Sequence, residues 1–451
     1  MSAPGPIHHL AEPAHWDAAL ASGRYTRSTL GRSLEEEGFI HCSTAAQVAG
    51  VLGRYYAGYV GDLLLLTIDP ELLEAPLRWN VANPATGESF PHVYGPLNTS
   101  AVVATRRLVA PHAATPESHV LRAEGIELEV LTTGAAVRRL RLVDVNHPLE
   151  WVDVVLGHED PATYRFEGGY LGAVVGRVAN RLAGGRFTLH GQVVEVPTNE
   201  GPNTLHGGYE GFDRATWAVE SADEDHLRLA LTSPDGDCGF PGQVEVTVTY
   251  AVSPGEVRID YTATSRRPTP FNVTNHSYLN LDGEGGGPVD DHELQVAASS
   301  FTPTDPDLVP TGEIRPVAGS PFDLRAGRRI GDVLAADDEQ LRHGGGLDHN
   351  LVLDGDGLRV AARLQGASGR SLEVLTDQPG LQVYTGAHFD DSVTGPSGRT
   401  YGPRAGIALE TQGFPDAPNH PGFPDITLRP GTPFSSRTIW RFGAHPPSPV
   451  E

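Results

Sequence analysis

Residues 244–250 read VEVTVTY, a strict alternation of apolar and polar side chains. A period of two puts Val244, Val246, Val248 and Tyr250 on one face of an extended chain, the pattern of a half-buried β-strand. HLRLAL (226–231) alternates in the same way just upstream. RFTLHGQVVEV (186–196) predicts a hairpin turning at His190-Gly191. LRVAARL (358–364) and SLEVL (371–375) predict another across Gly366–Gly369. In this part of the chain only GRRIGDVLAADDEQLR (327–342) suggests helix. Short strands with turn signals over about 330 residues imply one large β-sandwich.

Toward the N-terminus the texture changes. VAPHAATPESH (109–119) is rich in Ala, Pro, Ser and His and has no amphipathic period, so it reads as a linker. The expected division is a small domain over 1–110, a linker over 111–117 and a sandwich domain over 118–447. In the small domain LLLLTI (63–68) predicts a buried strand and AVVATRRL (101–108) another. Val48, Val51, Leu52 and Tyr55 fall at helical spacing, with Ser43 as the candidate cap. The fold class is therefore mainly β, a sandwich preceded by a small α+β domain.

Composition narrows the chemistry. The 451 residues carry a formal net charge of −24, with 7 Arg and 10 acids in residues 1–113 and the remaining excess of acid downstream. Such a chain repels nucleic acid and anionic membrane, and neither is an expected partner. It contains no lysine, and all 33 basic residues are arginine. Schiff-base chemistry through lysine, a P-loop and a protein-kinase catalytic lysine are thereby excluded. Cys42 and Cys238 are far apart and lack C-x-x-C spacing, which argues for a reduced, cytoplasmic setting. The opening MSAPGPIHHL has neither the basic nor the apolar region of a signal peptide, and the longest strongly apolar run, 63–66, is too short to span a bilayer.

Polar residues gather in six turn-flanked segments: GRVANR (176–181), NTLHGG (203–208), NVTNHSYLNL (272–281), GLDHN (346–350), DQPG (377–380) and ALETQ (408–412). Glu410 follows Ile407, Ala408 and Leu409, so a carboxylate closes a buried-looking strand. Burial raises a carboxyl pKa and suits it to proton transfer. The competing reading is an edge carboxylate paired with Arg404. His276 sits where a strand-like run meets consecutive donors and acceptors. Imidazole gives or takes a proton near neutral pH, and the alternative is a network that fixes a turn.

In order along the chain, G-R-V-A-N-R, N-x-L-H-G-G, T-N-H-S-Y-x-N-L, P-F-D-L-R, L-D-H-N, Q-P-G-x-Q-V-Y-T-G and L-E-T-Q resemble the aldose 1-epimerases, or galactose mutarotases, over about residues 118–447. The resemblance implies a galactose-mutarotase-like sandwich that interconverts α and β anomers of a free hexose of the glucose or galactose type. It implies Glu410 as general base and His276 as general acid. It also implies sugar contacts from Asn180, Arg181, His206, Asp348 and Gln378. The expected ligand is a small sugar, with no cofactor and no metal; neither the preferred sugar nor an oligomeric state follows from the sequence. A zinc site of His206, His276 and His349 lacks any short ligand spacing. Two other readings stand beside it, a non-catalytic sugar-binding module and an epimerase of a hexose phosphate, for which Arg181 and Arg177 would be the cations.

The first 110 residues resemble a small uncharacterised bacterial domain family. The likeness rests on Ile7–Leu10, E-G-F-I-H-C-S (37–43) and F-P-H-x-Y-G-P-L (90–97). That family is distantly similar to ADP-ribosyltransferase-like folds. His9, His41, His92 and Tyr94 are its polar motif residues, either sharing a pocket or making structural hydrogen bonds. Cys42 beside His41 reads as a nucleophile or, more commonly, a buried inert thiol.

Overall fold

A computed structural model describes residues 6–44, 47–56, 59, 61–83, 88–108, 116–143, 149–165 and 169–443. The chain divides into two compact units, with residues 6–108 in the smaller and those from 116 to 443 in the larger. The expected linker lies outside the described residues except at its end, where the Glu117 N–H already donates to Thr132 Oγ1.

In the larger unit, the alternating run is a strand of a nine-stranded sheet. Val244–Ser253 lies between His226–Ser233 and Glu256–Ser265, and the order continues through Phe434–Gly443, Ser371–Thr376 and Arg359–Gln365. Val244, Val246, Val248 and Tyr250 are buried, with Glu245, Thr247 and Thr249 on the opposite face. A six-stranded sheet runs Tyr278–Leu279, Ile407–Gln412, Gly380–Tyr384, Asp348–Leu353, Ala298–Thr302, Arg315–Pro316. Its Ile407, Leu409, Leu381, Val383 and Leu351 share one apolar core with Val246, Val248, Ile259 and Trp440 of the larger sheet. Two sheets closed over a single core satisfy both apolar faces, which is the sandwich solution. The 327–342 segment forms two short helices, Ile330–Leu334 and Glu339–Gly344.

The six-stranded sheet buries both parities of residue, for different purposes. In Ile407–Gln412 the odd positions feed the core. Ala408, Glu410 and Gln412 therefore point to the other face, beside Gln382 and Tyr384 of the neighbouring strand. That second face is also closed off from solvent, since all six residues of the strand are buried.

In the smaller unit, Leu63–Ile68 is the central strand between Ile7–Ala11 and Val102–Leu108. A second sheet orders Ile40–His41, Glu88–Val93, Leu77–Asn83. The helix Val48–Tyr55 starts at Gln47, not behind Ser43. Ser43 is instead held in a β-bridge, exchanging both backbone hydrogen bonds with His8 at 2.8 Å, which takes it out of reach as a cap. Among the described residues no helix is long and apolar enough to cross a membrane.

Two glycines separate backbone freedom from space. Gly191 completes the expected hairpin between Arg186–Leu189 and Gln192–Glu195 with φ +78°, and a Cβ there meets nothing. Gly172 has φ +66°, a Cβ there would overlap the Val137 carbonyl oxygen, and its N–H donates to the His276 carbonyl at 3.0 Å. Gly191→Ala should therefore lower stability by about 1–2 kcal/mol, the left-handed backbone cost alone. Gly172→Ala should cost well beyond that, because packed backbone must move. Denaturant midpoints of the two variants check this; equal losses would mean that the backbone around Gly172 is free to yield.

Candidate active site

The polar face of the six-stranded sheet floors a cavity of about 520 Å³ in the larger unit. Glu410 and Gln382 are direct cross-strand partners, as are Tyr384 and Asp348. Strand register alone thus sets two carboxylates and an amide side by side. Gln382 Nε2–H donates to Asp348 Oδ1 at 2.5 Å. The opposite wall comes from loops. Arg181 and Leu205 pair across two short strands, which brings Asn180 and His206 together. The Asn180 N–H donates to His206 Nδ1 at 3.2 Å, and the His206 N–H donates to the Asn180 carbonyl at 3.0 Å. Tyr170, Asn180 and His206, all lining the cavity, have φ of 56°, 60° and 50°. Leu308, at φ 61°, is a fourth, and left-handed backbone at four non-glycine residues around one cavity is strain concentrated where side chains must be aimed.

His276 follows the strand Thr274–Asn275, and its Nε2 stands 3.6 Å from Glu410 Oε1. The two side chains are 4% and 2% exposed. Among the described residues, Glu410 Oε2 and His276 Nδ1 have no hydrogen-bond partner. The His206 ring meets the His276 ring edge-on at 5.1 Å, and Tyr278 packs on His276 at 4.9 Å. Arg181 is held by Glu200, its Nε and Nη2 donating to the two carboxylate oxygens at 2.6 and 2.7 Å. Its Nη1 lies 3.9 Å from Asp348 Oδ2.

Burial, reinforced by the Asp348 charge and opposed by Arg181, lifts the Glu410 carboxyl well above its ordinary 4.5. Burial also presses His276 down to about 3, with His388 adding to it. His206 is driven well below 6.5 by burial and then by His276 and Arg181. A lone carboxylate and a lone imidazolium are both costly without water, whereas the two groups sharing one proton carry no net charge in either arrangement. The site is thus built around an acid–base pair flanked by groups suited to hydroxyls, Arg181, Asn180 and Asp348, the last held by Gln382.

Six of the seven residues singled out from sequence line this one cavity: Glu410, His276, Asn180, Arg181, His206 and Asp348. Gln378 does not. It lines a separate cavity of about 250 Å³, its N–H donating to Thr376 Oγ1. The amide that meets Asp348 is Gln382, four residues on in the same motif. Arg404 pairs with Asp290 at 2.7 Å and leaves Glu410 alone. Glu200, Tyr170, Tyr278, Tyr384 and His388 also line the cavity and were not anticipated.

His206, His276 and Glu410 offer ligand atoms within 4.8 Å of one another, so the third group beside the two histidines is a carboxylate and not His349, whose grouping with them the sequence spacing had already disfavoured. His349 instead hydrogen-bonds Gln340 Oε1 at 3.2 Å. The donor set fits a metal poorly. Because His206 Nδ1 accepts the Asn180 N–H, its Nε2 keeps the proton and is a donor.

Residues 117–441 match the family described as aldose 1-epimerase. The chain is 42% identical over 328 residues to a galactose mutarotase of Rattus norvegicus, covering 72% of this chain and 94% of that protein. It is 40% identical over 296 residues to an aldose 1-epimerase of Escherichia coli (strain K12), covering 64% and 85%. The solved structure of an aldose epimerase homologue from C. elegans is 29% identical, with TM-score 0.68, covering 73% of this chain and 100% of that one. Residues 10–105 match a family described as a protein of unknown function, DUF952. None of these matches supports the likeness to ADP-ribosyltransferase folds expected for the first 110 residues.

The raised Glu410 carboxyl has a thermodynamic signature. Its proton stabilises the fold fully below the ordinary carboxyl pKa, and that contribution is lost as pH rises through the raised value. Glu410→Gln removes the titration. The variant should match the parent in Tm near pH 4 and exceed it at pH 8, at about 1–2 °C per kcal/mol for a domain of this size. Calorimetry across that range checks the sign; a difference that does not grow with pH would describe a solvated Glu410.

Proposed function

The chain belongs to the aldose 1-epimerase family, and from that premise we propose that Glu410 and His276 carry out its proton transfers. The enzyme is an isomerase that interconverts the anomers of hexoses. The single observation that carries the residue assignment is the buried Glu410–His276 pair, 3.6 Å apart at the cavity floor.

Mutarotation removes the proton of the anomeric hydroxyl and delivers one to the ring oxygen. Those two oxygens share a carbon, so the groups serving them must stand within a few ångström of each other. Glu410 takes the hydroxyl proton while His276 gives its proton to the ring oxygen, and the bond from that oxygen to the anomeric carbon breaks. The open aldehyde then turns about the adjacent carbon–carbon bond. On closure His276 recovers the proton from the attacking hydroxyl, and Glu410 returns its own to the carbonyl oxygen. The pair holds one proton before opening and one after it. Opening therefore only exchanges which partner carries it, which a desolvated carboxyl–imidazole pair allows without any change in net charge. His206 Nε2–H and the Arg181 guanidinium donate to sugar oxygens, and Asp348, held by the Gln382 amide, accepts from hydroxyls.

A free hexose suits the cavity better than a phosphorylated one. Its lining carries Glu200, Asp348 and Glu410; Arg181 already faces two of them, and the other lining arginine, Arg342, pairs with Asp337. Arg177 is buried elsewhere, donating to the Gly242 carbonyl at 2.7 Å and the Pro234 carbonyl at 3.0 Å. A cytoplasmic setting accords with two cysteines that are not joined in a disulfide, one of them buried.

Polarimetry on freshly dissolved α-D-galactose and α-D-glucose tests the assignment. Glu410→Gln should lower the mutarotation rate by about 10²–10⁴, and dialysis of the parent against a strong chelator should leave its rate unchanged. A folded Glu410→Gln protein with near-parental activity would remove Glu410 from the mechanism, and a rate lost on chelation and restored by a divalent ion would replace the metal-free scheme. We also propose that the larger unit is self-sufficient, since every residue invoked lies after position 169. A chain of residues 113–451 should keep the parental kcat and KM; a folded but inactive product would show that the first 112 residues complete the site.

A further inference from the structure

The histidine motifs of the smaller unit, which the sugar chemistry does not use, converge. Ile40–His41 pairs with Glu88–Val93 so that His41 faces His92. Their rings meet edge-on, 4.9 Å between centroids, and Phe39 stacks on His92 at 4.3 Å. Beside them opens a cavity of about 540 Å³, comparable in volume to the sugar cleft and within the range of small-molecule sites. His8 and Cys42 also reach it, and Leu10, Leu30, Val51, Tyr56 and Phe90 form its walls. Of the other motif residues, His9 is structural, its Nδ1–H donating to the His41 carbonyl at 2.7 Å. Tyr94 accepts from Asn80 Nδ2–H at 2.6 Å. Burial pushes the Cys42 thiol far up, so it is an inert wall and no covalent step is called for.

The polar groups facing this cavity define what can enter. Asn80 Nδ2–H donates to His92 Nδ1 at 2.8 Å, so His92 Nε2 carries the proton and is a fixed donor. Arg32 and Glu37 at the cavity pair with each other at 3.2 Å and offer no net charge. Burial lowers His8 and His92 to about 4, and His41 in the same direction, so all three are neutral near pH 7. Among the described residues that line the cavity, a phosphate or carboxylate thus finds no uncompensated cation. A polyol finds, of the carboxylates and amides that line the sugar cleft, only a Glu37 already paired with Arg32; beyond that pair and the hydroxyls of Thr29, Ser43 and Tyr55, the lining is apolar and aromatic, interrupted by imidazoles. A flat ring with an acceptor on its edge fits both features, its face against Phe90, Tyr56 and Leu30 and its edge toward His92.

We propose that this cavity binds a neutral nitrogen heteroaromatic of nucleobase size, stacked on its aromatic wall and hydrogen-bonded by His92 Nε2–H. Calorimetric titration of the full chain at pH 7.5 tests it, with adenine and uracil as probes and D-galactose and inorganic phosphate as contrasts. At least one of the two heterocycles should bind saturably, one per chain. Val51→Trp, which fills the cavity from the helix Val48–Tyr55, should abolish that binding while mutarotation is retained. His92→Phe keeps the stack on Phe39 and removes the donor, and should weaken binding about tenfold. If neither heterocycle binds, if binding survives Val51→Trp, or if phosphate or galactose is the probe that Val51→Trp displaces, the proposal fails. Loss of mutarotation in Glu410→Gln with heterocycle binding intact would show the two sites to be separate.

Discussion

Glu410 and His276 lie in contact range with almost no exposure, and the surrounding protein supplies very little of the solvation they would have in water. Two ionisable groups so placed are tolerable only as partners that divide a proton between them, since each alone would lose its charge at the cost of its function. Much of the larger unit answers to that constraint. The strand carrying Glu410 is closed off on both faces. Asp348 is close enough to raise the Glu410 carboxyl further, and Arg181 is close enough to temper it. Glu200 in turn holds Arg181 by two hydrogen bonds, so the charges around the pair are fixed in position.

Parity along a strand divides structural from chemical work. Leu409 and Ile407 belong to the core shared by the two sheets, whereas Ala408 and Glu410 look the other way. The same alternation sets Gln382 against Glu410 and Asn350 against Gln382. Any slip of one residue in this register would exchange the two faces and bury the carboxylate in hydrocarbon. Stability of the sandwich and placement of the reacting groups are therefore one property of the sheet. The loops that form the opposite wall have no such ladder, and there the strained backbones of Asn180 and His206 are tied directly to each other.

This explains what could be read from the chain beforehand. Alternation in VEVTVTY and in the two hairpins is a local signal, and those elements stand where expected. Glu410 was visible because a charge at the end of an apolar run breaks the local pattern. Gln378 and Gln382 sit in one motif with the same parity, and only pairing distinguishes them. Gln382 lies opposite Glu410, while Gln378 precedes the strand, about 13 Å away along an extended chain. Glu200 gave no signal, because its role depends on Arg181 folding back across 19 residues. Ser43 read as a cap from its side chain, but its backbone was already committed to His8, a contact between strands that composition does not reveal.

The cations that line the sugar cleft, Arg181 and Arg342, are both guanidinium groups, in a chain that has no lysine anywhere. Ring opening liberates an aldehyde within that cleft at every turnover, and aldehydes condense readily with unprotonated primary amines. A guanidinium stays protonated and donates hydrogen bonds without offering a nucleophilic lone pair. The open-chain sugar therefore meets a positive charge with which it forms no covalent adduct, and no side-chain ammonium on the rest of the surface is available for glycation by the sugars the enzyme handles.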